Sequence, residues 1–198
     1  METVMPLYLL PAPGYWHTLL SASAVTIEAQ ENFIKSTYRN RFWISGAQGL
    51  QLLSVPLLGG RDSHRLYRET RISYEEPWAR KHLQAIRSAY GSSPFFEHYA
   101  ASFFPLYERP VALLWERNWL LLEWVLKQLR MTISLPLTEI YECLPKTSDN
   151  RLQTSWEAPL RPYLRPFEPS PAVLPQVSIL DLLFNTGPEA LHYIGLNK

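Results

Sequence analysis

Residues 35–56 read KSTYRNRFWISGAQGLQLLSVP, and this stretch decides how the chain around it folds. Two runs of strand-forming residues, 41–46 and 50–57, are separated by a short turn that contains Gly49. Such runs joined by a glycine-containing turn predict a β-hairpin. Polar and cationic side chains lie just before the first strand and at its first residue, and they are expected at the open end of the hairpin: Lys35, Arg39, Asn40 and Arg41.

The cationic group before the hairpin has two interpretations. Arginine presents a planar fork of donors that suits phosphate or carboxylate, and Asn40 adds an uncharged donor and acceptor. In a strand, Arg39 and Arg41 would lie on one side and Asn40 on the other. These residues therefore predict an anion site. The alternative is that the cations pair with acids at the edge of the sheet, namely Glu28, Glu31 or Asp62.

The segment that precedes the hairpin has a strand, helix, strand pattern. Residues 7–10 form an apolar run typical of a buried strand, and the sequence PAPG at 11–14 ends it with a turn. Residues 15–22 are compatible with a helix, and residues 24–29 are rich in strand formers. This order predicts a βαβ unit with a parallel strand pair.

After the hairpin the pattern changes from strand to helix. Residues 66–73 predict one more strand, and from Trp78 the apolar residues recur with helical spacing. Ser93 and Pro94 suit the cap and first position of the next helix, and a third helix is predicted over about 110–129. Ser178 is expected to cap a short helix that runs through Phe184, with a last helix ending near residue 194.

These elements predict an α/β fold: a small open mixed sheet with an N-terminal βαβ-like unit, a β-hairpin and a set of packed helices. At 198 residues we expect one domain covering 1–198. Within it, 1–75 is sheet-rich, 76–130 is helical, 145–175 is an extended proline-rich loop, and 178–195 forms C-terminal helices.

Composition excludes several classes of function. A formal net charge of +1 argues against nucleic-acid binding, which normally needs a strongly basic face. The single Cys143 allows no intrachain disulfide, and no metal-binding spacing of His and Cys is present, so no metal is predicted and no cofactor is indicated. The N-terminus does not resemble a signal peptide, and residues 111–129 are too charged for a membrane span. We expect a soluble cytoplasmic protein.

Histidines supply two candidates for acid–base chemistry. Tyr15 and His17 follow the predicted first strand, where open α/β folds bind ligands. The arrangement is weakly similar to nucleotidyltransferase-like α/β folds, although Leu20 and Ser21 stand where a second histidine is expected. His82 lies one helical turn after Trp78, and its alternative is a hydrogen-bonded core histidine.

Asp181 and Asn185 lie four residues apart on the predicted helix that follows Ser178. At this spacing their side chains share one face and could meet the same ligand. Capping explains Asp181 equally well, and a helix stop explains Asn185.

Five blocks of sequence together resemble the WbqC-like family: Tyr38-Arg39-Asn40-Arg41, Ser54-Val55-Pro56, Trp78 with His82 and Ala89-Tyr90, Ser93-Pro94-Phe95-Phe96, and the closing stretch 177–188. The family is associated with bacterial surface-polysaccharide and O-antigen genes. The resemblance implies a small transferase acting on an anionic substrate, a nucleotide-linked sugar with an acyl or aminoacyl donor. The proline-rich segment 161–167 departs from the family pattern.

In this interpretation Arg39 and Arg41 clamp the anion, Tyr38 and Asn40 orient the acceptor, and His17 or His82 moves a proton. The full set of predicted substrate-binding residues is Tyr15, Lys35, Tyr38, Arg39, Asn40, Arg41, Trp78, Tyr90, Asp181 and Asn185. A pocket that joins Gly14, Arg39 and His82 would favour an enzyme.

The alternative function is a non-catalytic binding or scaffolding module. It would present an aromatic helical surface to a partner, formed by Trp78, Phe95, Phe96, Tyr99 and Phe103. The sequence identifies neither the substrate nor the oligomeric state.

Overall fold

The structure is a computed structural model, and it describes residues 2–59, 65–142, 149–153, 156, 159–167 and 176–196. The strands are β1 (Glu2–Met5), β2 (Ala24–Ile27), β3 (Arg41–Gly46) and β4 (Gly49–Ser54). The α-helices are α1 (Pro13–Ser21), α2 (Trp78–Tyr90), α3 (Phe96–Glu108), α4 (Leu114–Gln128), α5 (Ile179–Thr186) and α6 (Ala190–Tyr193). This mixture of helices and strands confirms the predicted α/β class. The single-domain organisation stays a prediction.

The N-terminal βαβ unit is confirmed. β1 pairs in parallel with β2 in the register Val4 to Thr26, and α1 connects them. Single parallel bridges continue the sheet on both sides, from Ile27 to Leu137 and from Val4 to Asp149. This small parallel sheet therefore brings distant parts of the chain together.

The first strand was predicted in the wrong place. It covers Glu2–Met5, whereas residues 7–10 are buried but irregular, and Leu10 has a positive φ of 45°. Pro6 and Pro11 flank this run, and proline removes a donor from a strand ladder. The apolar run at 7–10 therefore predicts burial correctly, but these residues do not pair with a neighbouring strand.

The hairpin is confirmed. β3 and β4 are antiparallel, and Gly46 pairs with Gly49 across a two-residue turn. Gly49 has φ 94°, a conformation that glycine adopts without steric cost.

The predicted strand 66–73 is wrong: a 3-10 turn covers Tyr67–Glu69, followed by isolated bridges at Arg71 and Ile72. The buried Tyr67 donates its hydroxyl to the Leu7 carbonyl at 2.9 Å, so this segment is a tether across the core.

The three middle helices are confirmed, with one change at the start of α3. That helix begins at Phe96, after a turn in which the Phe96 N–H donates to the Ser93 carbonyl at 3.1 Å. The Ser93 hydroxyl is buried and has no hydrogen-bond partner among the described residues, so Ser93 is not the cap. Ser178, by contrast, does cap α5, accepting from the Leu180 N–H at 3.3 Å.

A buried network of charged side chains joins the sheet to the segment around Arg151. Arg39 donates to Glu31 at 2.9 and 2.5 Å, and Arg151 donates to Glu28 at 2.8 Å and to Asp149 at 2.6 Å. Arg39 also donates to the Arg151 carbonyl at 3.1 Å, which links the two groups. Because buried charges need partners, this network fixes the start of the proline-rich loop against the sheet.

Among the described residues, no helix has both the length and the apolar character needed to cross a membrane. Cys143 and Asp62 lie outside the described residues, so the predictions that concern them have no structural outcome.

Candidate functional site

Helix α5 is apolar and buried on every side, which makes its three polar residues unusual. Its leucines, Ile179 and Phe184 have no measurable exposure, while Asp181, Asn185 and Thr186 are 2%, 7% and 7% exposed. The helix ends at Gly187, whose φ of 58° favours glycine. A Cβ at Gly187 would lie 2.6 Å from the Phe95 ring, so the helix end and that ring are in close contact.

Asp181 is the centre of a buried hydrogen-bond network. Its Oδ2 accepts from the Tyr163 hydroxyl at 2.5 Å and from Arg165 Nε at 2.8 Å. Burial, followed by the negative charge of Asp181, raises the pKa of both Tyr163 and Tyr90. The Tyr90 hydroxyl in turn accepts from the Ser45 N–H at 3.0 Å. Asp181 therefore connects α5 to α2, β3 and the proline-rich segment.

Asn185 presents an unsatisfied acceptor next to this network. Its Nδ2 donates to the Asp181 carbonyl at 2.7 Å, and a carbonyl can only accept, so the orientation of the amide is fixed. Its Oδ1 is buried and has no hydrogen-bond partner among the described residues. An unpaired buried acceptor carries a cost of about 1–3 kcal/mol.

Asn185 lines a cleft of about 490 Å³, which we call the α5 cleft. Three aromatic side chains form much of its wall, and Glu189 and Leu164 lie among the other lining residues. The aromatic residues are Phe95, Tyr163 and Tyr193. A mostly apolar cleft with a few fixed polar groups is the usual form of a small-molecule site. It is our candidate functional site.

Three of the predicted site residues, Tyr90, Asp181 and Asn185, meet in the hydrogen-bond network of Asp181, and of these three Asn185 lines the cleft. The capping interpretation of Asp181 does not account for its contacts, since its carboxylate bonds to Tyr163 and Arg165.

Arg39 is placed in the core rather than at an open anion site. Its side chain is fully buried and pairs with Glu31, one of the alternatives that the sequence left open. The guanidinium also donates to the Thr37 hydroxyl at 3.1 Å and to the Arg151 carbonyl at 3.1 Å. With most of its donors bonded within the protein, this geometry favours a structural role for Arg39.

The other residues of the predicted anion site lie nearer the surface. Lys35 is exposed, while Tyr38, Asn40 and Arg41 are half-buried. Asn40 donates to the Val55 carbonyl at 2.9 Å and thereby ties the two strands of the hairpin at their open end. Arg41 is the first residue of β3. In the same strand, the Ser45 N–H donates to the Tyr90 hydroxyl.

Tyr15 and His17 lie on α1. Tyr15 is fully buried and donates its hydroxyl to the Pro6 carbonyl at 2.8 Å. His17 is half-buried, and its Nδ1 lies 2.7 Å from the Ile194 carbonyl. Because a carbonyl only accepts, this bond places the proton on Nδ1 and makes Nε2 the basic nitrogen. Ile194 directly follows Tyr193, which lines the α5 cleft.

Trp78 and His82 lie in a different cleft, of about 310 Å³, with Lys81 at its edge. The His82 Nδ1 lies 2.8 Å from the Tyr107 hydroxyl, and the ring also bonds to the backbone of Ser54. Burial lowers the pKa of His82 to about 4, so the ring is neutral near pH 7. These contacts favour the alternative of a hydrogen-bonded core histidine.

The described clefts do not bring Gly14, Arg39 and His82 together. The aromatic surface that the scaffolding alternative needs is not exposed either, because Trp78, Phe96, Tyr99 and Phe103 are all buried. Of that set, Phe95 alone is half-buried, and it lines the α5 cleft.

Sequence reasoning missed several residues of the candidate site, notably Tyr163, Arg165 and Glu189. The first two lie in the proline-rich segment, which has no periodic pattern, and Glu189 follows a helix stop. In the sequence, Tyr163 and Arg165 are marked out only by lying in the segment 161–167, which departs from the family pattern.

Comparisons with known proteins support the resemblance noted above. No solved structure matches this chain. An uncharacterised protein of Mycobacterium tuberculosis (strain ATCC 25618 / H37Rv), Rv1507c, is 26% identical over 216 residues, and the alignment covers 93% of each protein. The model of the WbqC-like protein family matches residues 7–166, and α5 follows this range. Since the match covers most of the 198 residues, the chain belongs to the WbqC-like protein family.

Proposed function

We propose that this protein is a small cytoplasmic transferase that acts on an anionic substrate, a nucleotide-linked sugar or an acyl- or aminoacyl-linked compound, in the synthesis of surface polysaccharide such as O-antigen. The proposed pathway rests on the association of the WbqC-like family with surface-polysaccharide and O-antigen genes. The fold by itself does not establish a reaction. The observation that carries the proposal is the α5 cleft, where a buried asparagine has an unpaired acceptor beside a buried carboxylate.

Each part of the cleft has a proposed role. The aromatic walls would exclude water and hold a ring by stacking, and Asn185 would fix its orientation through one hydrogen bond. Asp181 is a positioning residue, because it holds the Tyr163 hydroxyl at 2.5 Å and so sets that wall. Arg41 is the proposed contact for the anionic part of the substrate.

His17 is the proposed proton acceptor. Its hydrogen bond to Ile194 leaves Nε2 as the ring nitrogen that can accept a proton. His82 is less suitable, because burial lowers its pKa to about 4 and both sides of its ring are hydrogen-bonded.

The test is a thermal-shift screen of the purified protein with nucleotides, nucleotide-sugars and acyl or aminoacyl donors, because a ligand of the native state raises apparent stability. Hits are then incubated in pairs, and group transfer is followed by mass spectrometry. We expect a shift that disappears in Asn185→Ala and persists in Asn32→Ala, which changes an exposed asparagine. No shift with any compound, or a full shift in Asn185→Ala, would overturn the proposal for this cleft.

A further inference from the structure

Strand β4 has a partner on one side, the strand β3. Among the described residues, no second strand pairs with it. The Val55 N–H donates to the Asn40 carbonyl at 2.7 Å, and this bond sets the alternation of the ladder, in which the odd-numbered residues of β4 bond toward β3. The backbone N–H and C=O groups of Leu50, Leu52 and Ser54 therefore point to the outer side of the hairpin.

Part of this outer side is already bonded. The His82 ring bonds to the backbone of Ser54, and beyond the strand the Pro56 carbonyl accepts a backbone N–H at 2.9 Å. For Leu50 and Leu52, no backbone partner on the outer side is found among the described residues. These two residues form what we call the open edge of β4.

No charge, proline or bulge protects the open edge, although natural edge strands commonly use these features. The strand reads GLQLLS, and its register with β3 is continuous from Ser54 to Gly49. Leu50 and Leu52 are half-buried, so part of each apolar side chain faces solvent. An edge of this composition favours pairing with another strand.

There is space for another strand beside the open edge. A cleft of about 420 Å³ separates this end of the hairpin from α2, and its lining includes Leu50, Gln51, Ala85 and Ser88. Gln51 is exposed, and the two α2 side chains are small. The helix therefore leaves this side of β4 accessible.

The open edge is complementary to itself. When two copies pair antiparallel with Gln51 on a two-fold axis, Leu50 of one copy and Leu52 of the other exchange backbone hydrogen bonds and pack side by side. The two Gln51 amides then face each other, and an amide both donates and accepts. Pairing Leu52 with itself would need the backbone of Ser54, which is bonded to His82. Because β4 carries no charge, no like charges meet across the axis, whereas a charged partner strand would gain no ion pair.

We infer that this protein forms a two-fold dimer through the open edge of β4, so that the two hairpins join into one continuous sheet. This inference is independent of the proposed function. A single strand pair with its neighbouring side chains makes a small interface, so the dimer is expected to be weak and to depend on protein concentration.

The test is analytical ultracentrifugation of the full chain between about 1 and 500 μM, where the wild type should show a reversible equilibrium of monomer and dimer. Gln51→Lys and Gln51→Glu each place like charges opposite each other on the axis, and each should weaken the dimer at least about tenfold. An equimolar mixture of the two variants should form dimers again, because unlike charges then face each other. The control is Gln128→Lys, which changes a half-buried glutamine at the end of α4 and should leave the equilibrium unchanged.

Because the Gln51 side chain is exposed, both variants should fold, and circular dichroism checks this. A wild type that is monomeric at every concentration would overturn the inference and leave the open edge to an extended segment of another protein. A dimer that both variants form as strongly as the wild type would also overturn it, as would a mixture of variants that stays monomeric. Hydrogen exchange is an independent check, since the amides of Leu50 and Leu52 should exchange more slowly at the high concentration than at the low one. Equal exchange in a dimeric sample would place the contact elsewhere.

Discussion

Replacing Arg39 with Met distinguishes a structural arginine from a substrate clamp. The guanidinium is fully buried, pairs with a carboxylate that is 2% exposed, and makes bonds of 2.9 and 2.5 Å to it. It also lies over the rings of Tyr8 and Tyr67, 5.4 and 5.8 Å from their centroids. Met keeps the apolar stem and removes the charge, so the variant leaves Glu31 buried without its partner.

The expected loss is large. Removing one member of a buried ion pair costs about 3–5 kcal/mol, because the other charge remains desolvated. A domain of this size has a total stability of about 5–15 kcal/mol, so Arg39→Met should lose a substantial part of it. Replacing both members, in Arg39→Met with Glu31→Leu, should cost less than the single change, since no uncompensated charge remains.

The assay is urea unfolding followed by tryptophan fluorescence and circular dichroism, with the free energy and the slope compared between variants. The control is Lys81→Ala, whose partner Glu76 is equally exposed and whose 2.7 Å pair should contribute little. Wild-type stability in Arg39→Met would refute this reasoning. If such a variant also lost ligand binding, the original assignment of Arg39 as an anion clamp would be supported instead.

Further predictions concern pH, backbone conformation and the cleft wall. Folding lowers the pKa of His82 from 6.5 to about 4. Between these two pH values the unfolded chain therefore binds a proton at His82 that the native protein does not bind. The contribution of His82 to stability should therefore decrease as pH falls from about 6.5 to 4, by about 3 kcal/mol at the limit, and His82→Gln should lack this part of the pH dependence. Equal pH profiles would contradict this. Gly187→Ala should lower the melting temperature by several degrees, because φ is 58° and the new Cβ would meet the Phe95 ring at 2.6 Å. Asp181→Asn should weaken the hydrogen bond from the Tyr163 hydroxyl and speed proteolysis of the segment around Tyr163. An unchanged cleavage rate would show that this hydrogen bond does not hold the segment in place.

The sequence predicts those parts of the fold that local patterns determine. The hairpin follows from two strand-forming runs and Gly49, and α2 follows from helical spacing of Trp78, His82 and Ile86. Residues 7–10 mislead because apolar character predicts burial and cannot distinguish a strand from an irregular buried segment. Local pattern cannot specify which acid meets Arg39 either, so the choice among Glu28, Glu31 and Asp62 required the three-dimensional structure.

The candidate site is harder to predict, because it depends on contacts between segments without periodic sequence. Asn185 and Asp181 share a helix, and their spacing already suggested a common face. Tyr163 comes from a proline-rich segment whose path no propensity determines, and it reaches Asp181 through a single hydrogen bond.

Asp181 explains why such a segment can form one wall of a cleft. A loop rich in proline forms few backbone hydrogen bonds of its own, so side-chain contacts must hold it in place. The Arg165 pair and the Tyr163 bond both end on the same carboxylate oxygen, 2.8 and 2.5 Å away. That carboxylate lies on a buried helix, where its position is fixed by packing. Two polar residues of α5 therefore differ in role. Asp181 holds Tyr163 and Arg165 of the proline-rich segment in place, and Asn185 has one unpaired acceptor next to Asp181. Substitution of Asp181 should therefore act on the shape of the cleft, whereas substitution of Asn185 should remove its bond to the Asp181 carbonyl and a polar group of the cleft lining.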